Sequence, residues 1–427
     1  MTATPSIAIA PLTAPPDAVI AVPGSKSISN RVALLAALAE GRSTLDGVLF
    51  SDDTRHMATA LRGLGVEVEA DEAAARLVID GVGGRWPARQ AELFVGNAGT
   101  AMRFLVAALC LGEGSYRIDG TPRMRERPIG ELLAALAPLG GEAVSEAGTG
   151  CPPVRVRAHG LAGGCTTLDA GRSSQFLSAL LQVAPYAARD VEIALSGGLI
   201  AEPYVDMTIA VMAQWGVAVE RAGAVFRIRA GQRYRAQSYA VEPDASSAHY
   251  FWAAAALTGG RVRTPGLSRR SLQGDVAFAA LLERMGAAVT WHADAIEVQG
   301  RGRLAGVEID MNDFSDTVPT LAAIAPFASG PVRIDNVAHL RHQESDRIAA
   351  VCSELTRLGA RVEERADGLT VWPSPLHGAA IETYDDHRIA MAFALVGLRV
   401  PGVTIKDPEC TAKTFPTYFE TLEQLRR

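Results

Sequence analysis

The sequence predicts an α/β fold of two domains, built from six copies of one βαβαββ unit. Two recurring signals and the chain length carry that reading. The first signal is a helix that ends on a hydrophobic residue and Gly and then becomes a strand. It appears at Leu64-Gly65-Val66, Leu139-Gly140-Gly141, Trp215-Gly216-Val217, Met285-Gly286-Ala287 and Leu358-Gly359-Ala360. The second is a polar turn that opens an apolar helix and runs on into a β-branched strand. Its copies span 27–45, 99–118, 173–193, 244–263, 315–334 and 385–405. Both recur in phase every ~70 residues, longer than the periods of common solenoids. A chain of 427 residues has room for two domains of three units each.

Each element has a local cause. Glycine after the last helical residue suits a left-handed C-cap, and the alternation that follows suits a half-buried strand. The second helix type opens on short polar residues: Ser27-Ile28-Ser29-Asn30-Arg31, Asn97-Ala98-Gly99-Thr100, Ser173-Ser174-Gln175, Asp244-Ala245-Ser246-Ser247, Asp313-Phe314-Ser315-Asp316 and Asp385-Asp386-His387-Arg388. A helix start leaves N–H groups unpaired and carries partial positive charge, so it favours anions. Three such starts per domain, packed with the symmetry of the repeat, point at a common cleft and concentrate positive potential there.

Composition limits the functions open to the chain. The net charge of −6 argues against a nucleic-acid binder. Five scattered cysteines without CxxC spacing read as reduced thiols. No stretch reads as a spanning helix or signal peptide, so a cytoplasmic protein without membrane contact is expected. Gly24-Ser25-Lys26-Ser27 lacks the earlier glycine of a P-loop, with Val19 in its place. GxGxxG opening a helix, HExxH, zinc spacing and Gly-x-Ser-x-Gly are absent too, so neither metal nor cofactor is expected.

What remains is a set of bases and acids at helix starts. Lysine occurs only at Lys26, Lys406 and Lys413 among 41 Lys plus Arg. A lysine kept in so arginine-rich a chain points to a task needing a compact, titratable charge. Lys26, Arg31, Arg103, Arg127, Arg347, Arg388 and Lys413 are too many for one monoanion and suit a pair of ligands bearing phosphates and carboxylates. Asp316, Glu344, Asp386 and His387 are acid–base candidates.

The motifs PGSKSISNR, GNAGTAMR, RMRERPI, SSQFLSALL, EPYVDMT, PDASSA, QESDR, DDHRIAMA and CTAKTFPTYF resemble, in order and over nearly the whole chain, those of the 5-enolpyruvylshikimate-3-phosphate synthase family. The resemblance implies two inside-out, barrel-like α/β domains of three βαβαββ repeats each, helices inside. It places the first domain at 24–239 and the second at 1–23 plus 240–427, with the active site in the cleft between them. It also implies enolpyruvyl transfer from phosphoenolpyruvate to the 5-hydroxyl of shikimate 3-phosphate, no cofactor, glyphosate as an inhibitor and a monomeric enzyme. By resemblance Lys26, Asp316, Glu344 and His387 are catalytic. Shikimate 3-phosphate falls to Lys26, Ser27, Arg31, Ser173, Ser174, Gln175, Tyr204 and Asp316, with His339 and Gln343 at positions where the family commonly has Asn and Lys. Phosphoenolpyruvate falls to Lys26, Asn97, Gly99, Arg127, Gln175, Arg347, Arg388 and Lys413.

Two further positions depart from the family pattern: Ala201 where a serine is common, and Phe104 where proline is frequent. Phe104 is expected to shift its helix and weaken glyphosate more than phosphoenolpyruvate. The alternatives are a UDP-N-acetylglucosamine enolpyruvyl transferase, which would carry a loop cysteine near Ser115, and a non-catalytic phosphosugar-binding protein, which has no use for acid–base carboxylates.

Overall fold

The computed structural model describes residues 5–426. The chain divides into two compact units, Gly24–Val241 and a second formed by the stretch up to Pro23 together with that from Glu242 onward. Among the described residues there are six sheets, three to each unit.

In the Gly24–Val241 unit all three sheets follow one plan. Gln90–Phe94 runs parallel to Glu113–Asp119, which pairs antiparallel with Val154–His159, which in turn pairs with Glu142–Ser145. Gly164–Leu168, Val191–Leu195, Val225–Ile228 and Glu220–Ala222 repeat it. Glu40–Asp46, Arg76–Val82 and Glu67–Asp71 lack a preceding strand of their own. Their parallel edge is filled from the far end of the segment by Ser238–Ala240, in the register Thr44↔Ser238. An open edge there would leave a row of unpaired backbone groups.

The other unit follows the same order. Val307–Asp310, Val332–Asp335, Gly368–Val371 and Val362–Arg365 form one sheet. Arg261–Pro265, Ala295–Gln299 and Ala288–Trp291 take their parallel edge from the N-terminal strand Asp17–Val19. The third sheet departs from the expected four strands. It holds Ala380–Ile381, Val403–Lys406 and the N-terminal Ser6–Ile9 only. After Lys406 the backbone enters the left-handed region at Asp407 and meets Pro408. The chain then folds into the short turn Pro408–Lys413 instead of another amphipathic helix and hairpin.

The helices divide by pattern. Gly99–Leu109 is buried along its whole length, as is Lys26–Leu38 from Ile28 on. Val318–Ile324 and His387–Gly397 are buried throughout as well, and Ser174–Val183 and Ala245–Thr258 nearly so. A helix apolar on all sides must be surrounded; each unit therefore keeps these helices inside and its sheets outside, as the alternating burial of Val154–His159 shows. Asp52–Gly63 and Arg347–Arg357 bury one face only. The repeated C-terminal glycines are left-handed, with φ of 85° at Gly65, 90° at Gly140, 89° at Gly216, 105° at Gly286 and 88° at Gly359. Ser115 lies inside the strand Glu113–Asp119.

Gly24 is fixed by space. A Cβ there would sit 1.8 Å from the Gly47 carbonyl oxygen. Gly24→Ala should therefore displace the turn ahead of Lys26 and lower the free energy of unfolding by about 1–3 kcal/mol, read as a lower urea midpoint at unchanged m-value. An unaltered midpoint would show that the turn absorbs the methyl group.

Candidate active site

In the Gly24–Val241 unit most candidate residues sit at the starts of the three inner helices, while Arg127 follows the turn Met124–Glu126 and Tyr204 lies on the Glu202–Gln214 helix. Ser25 caps the Lys26–Leu38 helix, its hydroxyl accepting from the Ile28 N–H at 3.4 Å. Ser173 caps Ser174–Val183 by accepting from the Gln175 N–H at 3.2 Å. These three starts lie level with one another, because side chains about one turn in from each of them meet. Arg31 Nη2 donates to Ser178 Oγ at 3.5 Å, and the Arg31 guanidinium stacks 5.2 Å from the centre of the Phe104 ring.

Arg31 itself turns inward. Its Nε donates to Thr208 Oγ1 at 2.8 Å, Nη1 to the Ser27 carbonyl at 2.9 Å and Nη2 to the Tyr204 carbonyl at 3.0 Å. These acceptors are neutral, and burial lowers its pKa to about 10, so it is still a cation at neutral pH. It ties together the Ser27 and Tyr204 segments. Lys26 Nζ lies 3.6 Å from Asp53 Oδ2, a buried carboxylate in the first turn of Asp52–Gly63.

A second group surrounds Gly99. Arg127 Nη1 donates to the Asn97 carbonyl at 2.9 Å and to Asn97 Oδ1 at 3.0 Å. Arg103 donates to the Gly99 carbonyl at 3.2 Å and to the Pro128 carbonyl at 2.9 Å. A Cβ on Gly99 would fall 2.6 Å from Arg127 Nη2 and 2.8 Å from Arg103 Nη1, so only glycine lets both guanidinium groups close on the helix start. Ser174 is buried, Gln175 half-buried, and Ala201 stands in the left-handed region at φ 47° ahead of the helix bearing Tyr204.

The other unit gathers its candidates more tightly. Arg347, 1% exposed, makes three ion pairs: with Asp316 Oδ1 at 3.1 Å, Glu344 Oε2 at 2.8 Å and Asp386 Oδ2 at 2.8 Å. Burial alone would lower its pKa; the Asp386, Glu344 and Asp316 carboxylates outweigh that and raise it. Arg388 holds the second oxygen of Asp316 at 2.5 Å, and Lys413 lies 3.8 Å from Glu344 Oε1. Three carboxylates and three cations thus form one continuous network.

Asp386 is its anchor. Fully buried, it accepts from Ser345 Oγ at 2.9 Å and from the Arg388 N–H at 3.0 Å, which caps the His387–Gly397 helix. The turn before it passes through the left-handed region at Tyr384 and Asp385, φ 57° and 53°, a conformation costing about 1–2 kcal/mol per residue. Glu354, also buried, braces that turn by accepting from Tyr384 Oη at 2.7 Å and the Glu382 N–H at 3.1 Å. His387 Nδ1 lies 3.6 Å from Asp386. His339 is buried and shares a 2.8 Å hydrogen bond with Ser315, next to Asp316; burial lowers its pKa to about 4, so it is neutral. Gln343 is half-buried one residue before Glu344.

Sequence reasoning missed Asp53 and Glu354, and it named as an acid–base candidate Asp386, whose carboxylate is fully buried against Arg347, Ser345 and the helix start. Asp53 opens a helix of the first, half-exposed type, outside the pattern followed. Glu354 reads as an ordinary helix-surface acid until the Tyr384 turn folds over it.

The profile of the EPSP synthase (3-phosphoshikimate 1-carboxyvinyltransferase) family matches residues 13–422. A 3-phosphoshikimate 1-carboxyvinyltransferase of Nostoc sp. (strain PCC 7120) is 52% identical over 415 residues, which are 97% of this chain and 98% of that protein. The chloroplastic 3-phosphoshikimate 1-carboxyvinyltransferase 1 of Nicotiana tabacum is 48% identical over 424 residues, 95% of this chain and 82% of that one. The solved EPSP synthase from Acinetobacter baumannii superposes with a TM-score of 0.82 at 27% identity, covering 98% of this chain and 97% of its own. With its inner-helix clusters, five four-stranded sheets and one three-stranded sheet among the described residues, the chain belongs to the EPSP synthase (3-phosphoshikimate 1-carboxyvinyltransferase) family.

Proposed function

We propose that the two clusters serve one reaction, with the Arg347 network supplying the acid–base groups. The reaction is transfer of the enolpyruvyl group of phosphoenolpyruvate to the 5-hydroxyl of shikimate 3-phosphate, releasing phosphate in the pathway to aromatic amino acids. The UDP-N-acetylglucosamine alternative is not favoured: position 115 is a serine within a strand.

The chemistry needs a base for the hydroxyl, an acid for the terminal methylene carbon and fixed cations around the enol phosphate. A tetrahedral adduct forms and then expels phosphate; preorganised charge lowers the barrier to both steps. The observation that carries the assignment is Asp316, held at one oxygen by Arg347 and at the other by Arg388. Opposite charge at both oxygens keeps a carboxylate ionised and so able to accept a proton. Glu344, between Arg347 and Lys413, is the candidate proton donor to the methylene carbon, together with Lys26. His387 lies next to Asp386 in the same network. Phosphoenolpyruvate would compete with Asp316 and Glu344 for Arg347, Arg388 and Lys413, and would meet Arg127, Asn97 and Gln175 at the Gly99 end. Shikimate 3-phosphate would take Lys26, Ser27, Ser173, Ser174, Gln175, Tyr204 and Gln343. Arg31 supports it through the segments it ties together, and His339 through the Asp316 turn. Closure of water from the site would protect the adduct. We read the enzyme as a monomer that glyphosate inhibits at the phosphoenolpyruvate position.

Two substitutions test this reading. Gly99→Ala puts a methyl group against Arg127 and Arg103; it should raise KM for phosphoenolpyruvate about tenfold or more, a loss of ~1.4 kcal/mol, and the inhibition constant for the bulkier glyphosate by a larger factor. KM for shikimate 3-phosphate should stay within about twofold. An unchanged phosphoenolpyruvate KM would remove Gly99 from that site. Gln343→Lys should lower KM for shikimate 3-phosphate by up to about tenfold, the worth of one charge-assisted hydrogen bond. A value that stays put or rises would show that position 343 does not face this ligand.

A further inference from the structure

Beside Asp316 lies a second carboxyl group that the reaction above leaves unused. Asp275 sits in the short turn Gly274–Val276 and is 2% exposed. This turn packs against the Asn312–Thr317 turn, which carries Asp316, and against the Ala245–Thr258 helix. Ser246, in the first turn of that helix, donates its hydroxyl to Asp275 Oδ2 in a short contact. Gln273, just before the turn, clamps the same helix start: its Oε1 accepts from the Ala245 N–H at 3.0 Å and its Nε2 donates to the Pro243 carbonyl at 2.7 Å. Asp275 is therefore placed by a rigid frame.

The charges facing it come from three elements. Asp316 lies on the Asn312–Thr317 turn, Arg388 on the His387–Gly397 helix and Asp244 at the cap of the Ala245–Thr258 helix. The Ala277–Arg284 helix, which follows Asp275, carries Glu283 and Arg284 at its far, exposed end. His249, one turn beyond Ser246, shares a 2.8 Å hydrogen bond with Thr320 and is kept neutral by burial. Arg388 is already paired with Asp316, so one committed cation faces three carboxyl groups. Burial first, and then the charge of Asp316, push the Asp275 carboxyl up to about 7. Two acids that repel each other in this way titrate as a pair, and charge on either makes the other a stronger proton acceptor.

We propose that Asp275 is a positioning residue for the base: held by Ser246 behind the Asp316 turn, it fixes where Asp316 stands and, once ionised, strengthens it as a proton acceptor. The proposal rests on the reading of Asp316 as the base. No bond forms or breaks at Asp275; the hydroxyl proton goes to an Asp316 oxygen.

The sign follows from the raised pKa of Asp275. Below about pH 7 Asp275 is neutral and exerts no charge on Asp316; above it, negative charge favours the proton on Asp316. With both substrates saturating, kcat of the wild-type enzyme should rise through neutrality, and Asp275→Asn, which keeps an acceptor for Ser246, should lose that rise. The two enzymes should agree near pH 6 and differ about three- to tenfold near pH 8, with both KM values within about twofold. Ser246→Ala removes a hydrogen bond that lowers the Asp275 pKa, so it should move the rise to higher pH; it decides the matter if Asp275→Asn does not fold. Superimposable profiles for wild type and Asp275→Asn, or an unmoved rise in Ser246→Ala, would overturn the proposal. Asp316→Asn, run in parallel, should lower kcat by about 10²–10⁴. Near-normal activity there would instead overturn the assignment of the base, and so separates the two failures.

Discussion

The guanidinium of Arg347 cannot stay buried without carboxylates around it, and the arrangement of charged groups in its unit follows from that constraint. Removing one partner from a buried ion pair costs about 3–5 kcal/mol, because it strands a charge away from water. Arg347 has three partners, from three different segments: Asp316 on one turn, Glu344 ahead of its own helix and Asp386 at the start of another. Each segment is thereby located relative to the other two. The left-handed turn at Tyr384 and Asp385, unfavourable by itself, persists because Asp386 must reach Arg347 and Glu354 holds the turn from below.

The two units use one architecture for different electrostatic ends. Both set polar residues at the starts of three enclosed helices. In the Gly24–Val241 unit Arg31 is surrounded by hydroxyl and carbonyl oxygens, and the Gly99 end brings two arginines against backbone carbonyls and an amide. That suits the binding of anions, which bring their own negative charge. In the other unit each cation of the Arg347 network has a carboxylate within 4 Å.

The departures from the family pattern fit this division. His339 is a neutral imidazole bonded to Ser315, so it shapes the Asp316 turn by hydrogen bonding and adds no charge. Phe104 lies with its ring against Arg31, and so links the helix that begins at Gly99 to the one that begins at Lys26. A buried cation on an aromatic face is stabilised by the ring quadrupole, worth up to about 2 kcal/mol when desolvated.

The repeat was legible in the chain because it is written in local physics. Left-handed glycines after helices and short polar residues before them recur in phase and require no knowledge of distant contacts. The same holds for the candidate residues at the inner-helix starts, from Lys26 to Arg388. The three-stranded sixth sheet and the parallel edge strands supplied by Asp17–Val19 and Ser238–Ala240 were decided by the need of an open edge for a partner from elsewhere in the chain. The roles of Asp53, Asp386, Glu354 and Asp275 also belong to the tertiary structure. An acid in a sequence becomes a counterion, an anchor, a brace or a neutral neighbour only through the groups that folding brings beside it, and those lie from tens of residues to about a hundred away.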